Sequence, residues 1–281
     1  MDEALIPGWL LKTLRTTFAV LGRLLPNTMG KKAARLFFTP QKFPTPKREK
    51  AALESAEAFT LACGLAAHRW GDKNAPKVLL AHGWAGRGSQ LYAYAQPLVD
   101  AGYQVICFDL PAHGQSPGEM NHPLKTRDAI LAIGEELGEF DAIVAHSFGA
   151  ACSMWAISLG LKTKHMIALS SPTRYVHKYF IDFFRLPKRC ADAFEAEISR
   201  IMDYPVEKIE VELIMADVSA DALPPLLLIH GRDDHEIPLY HAENNIKFLP
   251  AELIVLDDCD HRKALWDPRG VAATLNFIGA S

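Results

Sequence analysis

The sequence predicts an α/β fold with a mostly parallel central sheet, helices on both faces, a helical cap insertion and an N-terminal amphipathic helix. Three observations predict it. From residue 77 onward, short apolar runs alternate with stretches of helical spacing. The apolar runs are nearly continuous, as in strands buried on both faces. One interval of roughly fifty residues is far longer than an ordinary strand-to-helix connection. At 281 residues the chain is long enough for one large α/β domain with an insertion.

Taken in order, residues 6–25 place Leu10, Leu11, Leu14, Phe18, Leu21, Leu24 and Leu25 at helical spacing, with Lys12, Arg15 and Arg23 interleaved. Such a basic amphipathic helix has two readings: packing on the body of its own molecule, or contact with an anionic membrane surface. Phe37 to Lys50, with Pro40, Pro44 and Pro46, reads as an extended linker, so residues 1–50 form an N-terminal helix-and-linker segment. Ala58–Leu61 and Ala66–Trp70 around Cys63 and Gly64 read as an antiparallel edge hairpin. Parallel strands are then expected at Lys77–Ala81, Gln104–Phe108, Ala142–Ala145, His165–Leu169, Leu226–Ile229 and Glu252–Leu256.

Helices fall between them at Gln90–Asp100, Thr126–Leu137, Ala150–Leu159, Tyr240–Phe248 and Pro268–Ile278, the last with Asp267 as N-cap and Pro268 in the first helical position. Residues 51–172 and 224–281 make the core. The long interval, 173–223, is read as a helical cap. Its aromatic residues Tyr175, Tyr179, Phe180, Phe183 and Phe184 either line an apolar substrate pocket or form the underside of the cap.

Composition removes several function classes. The net charge of −3 gives no reason to expect a nucleic-acid partner. That balance hides an asymmetry, because residues 1–50 carry ten Lys/Arg against three Asp/Glu. Five scattered cysteines, Cys63, Cys107, Cys152, Cys190 and Cys259, lie mostly inside apolar runs and suit buried thiols in a reducing compartment. With no run long enough to span a bilayer and no cleavage-site pattern, a cytoplasmic protein is expected. Gly83, Gly86 and Gly88 match neither phosphate-cradling spacing, so no nucleotide is expected. Asp257, Asp258, Asp260 and His261 lack a second ligand-spaced histidine or cysteine pair, so neither a metal nor another cofactor is expected.

Ligands of open parallel sheets bind outside the carboxyl ends of the strands. Here those ends carry His82, Asp109, Ser147, Ser170 and Ser171, Asp233 and Asp234, and then the turn from Asp257 to His261. Ser147 follows an apolar run and is flanked by the small residues Ala145 and Gly149, a strand, sharp turn and helix that push a hydroxyl out of the sheet edge. By itself that pattern fits a nucleophile or a helix cap equally well. A serine hydroxyl needs an imidazole to take its proton and a carboxylate to orient the imidazole. Ser147, Asp234 and His261 supply these groups on three strand ends. His146, by strand alternation, points away from the serine and is read as structural, as are His82, His113 and His230.

The ordered motifs His82-Gly83-Trp84, Asp109-Leu110-Pro111-Ala112-His113-Gly114-Gln115-Ser116, Ala145-His146-Ser147-Phe148-Gly149, Gly231-Arg232-Asp233-Asp234 followed by Ile237-Pro238, and His261 resemble those of the α/β-hydrolase superfamily. The resemblance spans about residues 58–278 and leaves out the first fifty. It implies Ser147 as nucleophile, His261 as base and Asp234 as acid, with Asp233 the next candidate. It also implies an oxyanion hole from the backbone N–H groups of Trp84 and Phe148. Two positions depart from the pattern: Ala145 stands where the elbow usually has glycine, and Asp260 stands where glycine usually precedes the histidine. Asp260 would either offer the imidazole a second carboxylate or face solvent. The implied activity is that of a serine hydrolase, carboxylesterase-like, acting on a small-to-medium acyl substrate as ester or thioester. Acyl transfer, and a ligand-binding or sensor protein with little turnover, are the other readings. Ser147 in place of an aspartate argues against the epoxide and haloalkane hydrolases of the superfamily.

Overall fold

Eight strands form one sheet in the order β1-β2-β4-β3-β5-β6-β7-β8, where β1 is Glu57–Thr60, β2 Ala66–Trp70, β3 Lys77–Ala81, β4 Gln104–Phe108, β5 Ala142–His146, β6 Met166–Leu169, β7 Leu226–Gly231 and β8 Ala251–Leu256. The computed structural model describes residues 7–216, 218–219 and 222–279. Strands β1 and β2 pair antiparallel, β2 joins β4 antiparallel, and all later pairings are parallel. Every residue of β4, β5, β6 and β7 is buried, the continuous apolar pattern of strands covered on both faces. The strand order reverses at β3, which lies between β4 and β5, the kind of switch point outside whose carboxyl ends ligands of open parallel sheets bind.

The chain divides into two compact units, Pro40–Thr173 with Val211–Ser281, and Met1–Thr39 with Arg174–Glu210. The first holds the sheet and the helices α3 (Lys47–Leu53), α4 (Tyr92–Asp100), α5 (Pro123–Leu137), α6 (Ser147–Ser158), α9 (Val211–Met215), α10 (Tyr240–Asn245) and α11 (Pro268–Phe277). Two starts follow local rules. Pro123 opens α5 while the His122 side chain accepts a hydrogen bond from Lys125 N, and Asp267 caps α11 through Arg269 N ahead of Pro268. Helix α6 is buried nearly all round, with apolar or small residues on every side, as a helix enclosed in a core requires.

The second unit holds α1 (Gly8–Leu24), α2 (Pro26–Phe38), α7 (His177–Phe184) and α8 (Lys188–Met202). Helix α2 meets α8 at small residues. A Cβ added to Gly30 would stand 2.7 Å from Ala193 Cβ and 2.8 Å from Phe194 N, so only glycine permits this approach.

Three expectations change in detail. The stretch from Phe37 to Lys50 is not an extended linker throughout, because Phe37 and Phe38 finish α2 and α3 starts at Lys47. Lys-Arg-Glu-Lys-Ala-Ala-Leu is a run of good helix formers, and Glu49 within it is buried by partners distant in sequence. Of the aromatic residues of the long interval, Tyr175, Phe180 and Phe184 are buried with the N-terminal helices in the second unit, while Phe183 is half-buried and Tyr179 exposed. The Phe180 ring lies 5.0 Å from Phe37 and stacks on Phe194 at 5.1 Å, and Phe184 lies 5.7 Å from Phe18. Residues from Val211 group with the sheet unit, where α9 packs on α6. Ile6, the first residue of the expected N-terminal helix, lies outside the described residues.

Candidate active site

The strand β5 runs straight into α6 through Ser147, whose φ of 50° is left-handed and unusual for a residue with a side chain. Two glycines make room for this turn. A Cβ on Gly83 would stand 2.8 Å from His146 Nδ1 and 3.1 Å from Ser147 Cβ, while one on Gly149 would collide with the carbonyl oxygens of Ala81 and His82. Ala145 needs no such relief. It sits in regular strand register between Ala81 of β3 and Ala168 of β6, so the alanine in place of glycine is accommodated by a row of methyl groups.

Asp234, in the turn after β7, has a side chain with no exposure to solvent. Its Oδ2 accepts a 2.7 Å hydrogen bond from His261 Nδ1, and its Oδ1 accepts from the backbone N–H groups of Ile237 at 2.7 Å and Glu236 at 3.0 Å. Burial pushes this carboxyl up, but the hydrogen bond and charge of His261 and the Ile237 N–H outweigh it and hold the group below its ordinary value. With Nδ1 donating to a carboxylate, the remaining ring nitrogen of His261, Nε2, carries the lone pair of the neutral imidazole. His146, adjoining Ser147, donates from Nε2 to the backbone oxygen of His261 at 2.9 Å, and the two rings lie 4.5 Å apart. Burial and the neighbouring His261 keep His146 neutral. Ser147, Asp234 and His261 follow β5, β7 and β8 at the carboxyl end of the sheet, where Asp234 is bonded to His261 and His146, the residue before Ser147, is bonded to the His261 backbone.

The model of the alpha/beta hydrolase family matches residues 78–274, more than half of the chain. The chain belongs to the alpha/beta hydrolase family. Similar solved structures agree on the fold of this alpha/beta hydrolase. A provisionally assigned lipase of Acinetobacter baumannii superposes with a TM-score of 0.64 at 15% identity, covering 85% of this chain and 98% of its own. A bacterial membrane phospholipase A gives 0.61 at 16% identity, covering 96% and 98%. An esterase of Pyrococcus furiosus gives 0.60 at 19% identity, covering 86% and 97%. No relative was found among curated proteins.

The two residues whose backbone N–H groups were expected at an oxyanion hole are neighbours. Trp84 follows β3 and Phe148 follows Ser147, and their rings meet edge-on at 5.3 Å. As the second residue of α6, Phe148 offers one of the N–H groups that a helix leaves without an internal acceptor. The Trp84 loop is held by two buried histidines. His82 donates from Nδ1 to Gly83 O at 2.7 Å and accepts at Nε2 from Leu110 N at 2.9 Å. His113 donates from Nδ1 to Pro111 O at 2.9 Å and accepts at Nε2 from Ala85 N at 3.1 Å. Burial lowers His82 to about 4 and His113 to about 3, so both act as neutral cross-links between the loops after β3 and β4.

Asp233 is exposed, so it is set apart from the imidazole that Asp234 engages. Asp260 is also exposed, and its Oδ1 accepts from the N–H groups of Arg262 at 2.9 Å and Lys263 at 2.7 Å. It caps the turn after His261 rather than competing with Asp234. His230 donates to Ile237 O at 2.7 Å beneath the Asp234 turn. His146, the extended last residue of β5, has the structural role expected of it, since its ring is engaged with the His261 backbone.

Sequence reasoning missed Asp109 and Glu49 as organisers of these loops. Asp109 accepts from Gly88 N and Gln115 N, both at 2.7 Å. Glu49 is buried and takes two bonds from the Arg87 guanidinium, at 2.6 and 2.8 Å, and one from Ser89 Oγ at 2.7 Å. Asp109 was visible as a polar strand end, whereas nothing local marks Glu49. Among the described residues, no cluster of three His, Cys, Asp or Glu side chains is placed to hold a metal ion.

Proposed function

We propose that the chain is a serine hydrolase of the carboxylesterase kind, cleaving esters or thioesters of small-to-medium acyl substrates through an acyl-enzyme on Ser147. The observation that carries this reading is the 2.7 Å bond from His261 Nδ1 to the buried Asp234 carboxylate, beside a serine held in a left-handed turn. Asp234 fixes the tautomer, so Nε2 of His261 receives the Ser147 proton as the hydroxyl attacks the substrate carbonyl. The oxygen of the tetrahedral intermediate accepts hydrogen bonds from the N–H groups of Trp84 and Phe148. His261 then passes the proton to the leaving alcohol or thiol. Water, deprotonated by the same nitrogen, attacks the acyl-serine and releases the acid. Relatives described as a lipase, a phospholipase and an esterase support carboxylic esters as the substrate class. A cytoplasmic site of action belongs to the same reading, since Cys63, Cys107, Cys152, Cys190 and Cys259 are all unpaired.

A fluorophosphonate probe tests the nucleophile. Labelling of the folded protein is expected, with none in Ser147→Ala; labelling that survives this substitution overturns the reading. On nitrophenyl esters from acetate to laurate, Ser147→Ala should lower kcat on the order of 10⁶-fold and Asp234→Asn about 10⁴-fold. Labelling without measurable turnover on any ester would instead support a binding or sensor protein.

A further inference from the structure

Helix α1 has two apolar faces, and only one is used inside its own unit. Leu11, Phe18 and Gly22 are buried. Phe18 packs on Phe184, a Cβ on Gly22 would stand 3.1 Å from Pro187 and 3.3 Å from Cys190, and Arg15 donates to Phe183 O at 2.7 Å. At about 100° per residue, Trp9, Thr13, Val20 and Leu24 fall within an arc of about 60° directly opposite. There Trp9 is 73% exposed, Val20 52% and Leu24 70%. A helix already packed on one face has no need of apolar residues on the other, and such a stripe marks a contact surface.

The charge around the stripe is of one sign. Between residues 8 and 38 every charged residue is basic: Lys12, Arg15, Arg23, Lys31, Lys32 and Arg35. Lys12 and Arg23 lie along one margin of the stripe on the same helical wheel, and exposed Lys31 and Lys32 follow just past the corner into α2. A second copy meeting this face by two-fold symmetry would set these bases against their equivalents. An indole at one end, aliphatic side chains at the other and a basic margin match the interface of an anionic bilayer. Among the described residues no helix is long and apolar enough to cross a membrane, so α1 would lie in the interface plane.

We propose that the outer face of α1 docks the protein on an anionic lipid surface, with Trp9, Val20 and Leu24 entering the headgroup boundary and Lys12 and Arg23 facing phosphates. The full chain is tested by co-sedimentation with phosphatidylcholine vesicles and with vesicles containing about 30% phosphatidylglycerol, at low and high salt. Wild type is expected to partition at least about tenfold better onto the anionic vesicles, and to be released by salt. Trp9→Ser/Val20→Ser/Leu24→Ser should abolish binding, and Lys12→Gln/Arg23→Gln should weaken it roughly fivefold per charge on anionic vesicles only. All substituted positions are exposed, so unchanged melting temperatures are expected.

No partitioning by wild type, or equal partitioning by the triple variant, overturns the proposal. So does a triple variant that turns a dimer into a monomer without changing vesicle binding, since a second copy would then cover the face. Hydrolysis of nitrophenyl acetate without vesicles should be the same in wild type and variants. An active protein that ignores vesicles refutes the docking alone, and an inactive one that binds them refutes only the hydrolase reading.

Discussion

Gly83→Ala isolates how tightly the loop after β3 is fitted against Ser147. Gly83 is not among the residues with a left-handed backbone, so alanine can adopt its conformation and the effect comes from contact alone. The new methyl would stand 2.8 Å from His146 Nδ1, 3.1 Å from Ser147 Cβ and 3.4 Å from His146 O. Carbon contacts to nitrogen and carbon need about 3.4 to 3.7 Å, so the groups must part by about half an ångström. The His146 ring has little freedom to yield, being buried and bound through Nε2 to His261 O. The displacement therefore reaches Ser147, the His261 backbone and the adjoining Trp84 N–H together.

A misplacement of about 1 Å at reacting groups costs on the order of 10²-fold, so half of that predicts a fall in kcat/KM of about tenfold. Overpacking should cost about 1–3 kcal/mol, which lowers Tm by about 2–4 °C per kcal/mol in a domain of this size. Nitrophenyl acetate kinetics and a thermal scan measure both. Wild-type kcat/KM with wild-type Tm in Gly83→Ala would refute the close-fit reasoning. Ala145→Gly is the matched control: it should change kcat/KM less than twofold and cost about 0.5–1 kcal/mol through backbone entropy.

Glu49→Ala removes the carboxylate from a nearly buried Arg87 and should destabilise by about 3–5 kcal/mol in urea unfolding. The double variant Glu49→Leu/Arg87→Met should recover much of that loss, and failure to do so would count against charge burial as the cause. His82 is lowered to about 4 in the fold against an ordinary 6.5, so the unfolded chain binds the extra proton. Stability present at pH 7 is therefore lost as pH falls from 6.5 toward 4, by about 2 kcal/mol at pH 5. His82→Gln should flatten that slope in pH-dependent unfolding. Asp234, held below its ordinary value, adds stability that is complete above pH 3.8 and is lost only as pH falls further. Asp260→Ala removes a turn cap and should cost about 1 kcal/mol, while kcat stays within twofold. A large loss of kcat there would return Asp260 to the imidazole.

Local rules reached a long way into this chain. Strands β3 to β8 were legible because burial on both faces leaves a continuous apolar run, and α11 was legible because Asp267 and Pro268 write its start. The polar strand ends that carry Ser147, Asp234 and His261 were legible because each residue follows a strand, where the topology gathers polar groups. What escaped was set by partners distant in sequence. Glu49 looks like any glutamate on a short charged helix until Arg87 and Ser89 close around it. The aromatic residues from Tyr175 to Phe184 could not reveal that their partners include Phe18 and Phe37, more than a hundred residues earlier. Asp233, Asp234 and Asp260 are three candidate carboxylates for His261, and the choice among them depends on turn geometry that buries one and exposes two.

The sequence by itself therefore determined the order of strands and helices, the polar strand ends and the basic N-terminal helix, since each depends on periodicity, capping or composition within a short window. Only the tertiary structure decided which carboxylate meets His261, how His146 links that histidine to the serine turn, and which face of α1 is left exposed. Those outcomes depend on angles and distances between segments far apart in the chain, for which a one-dimensional pattern carries no signal.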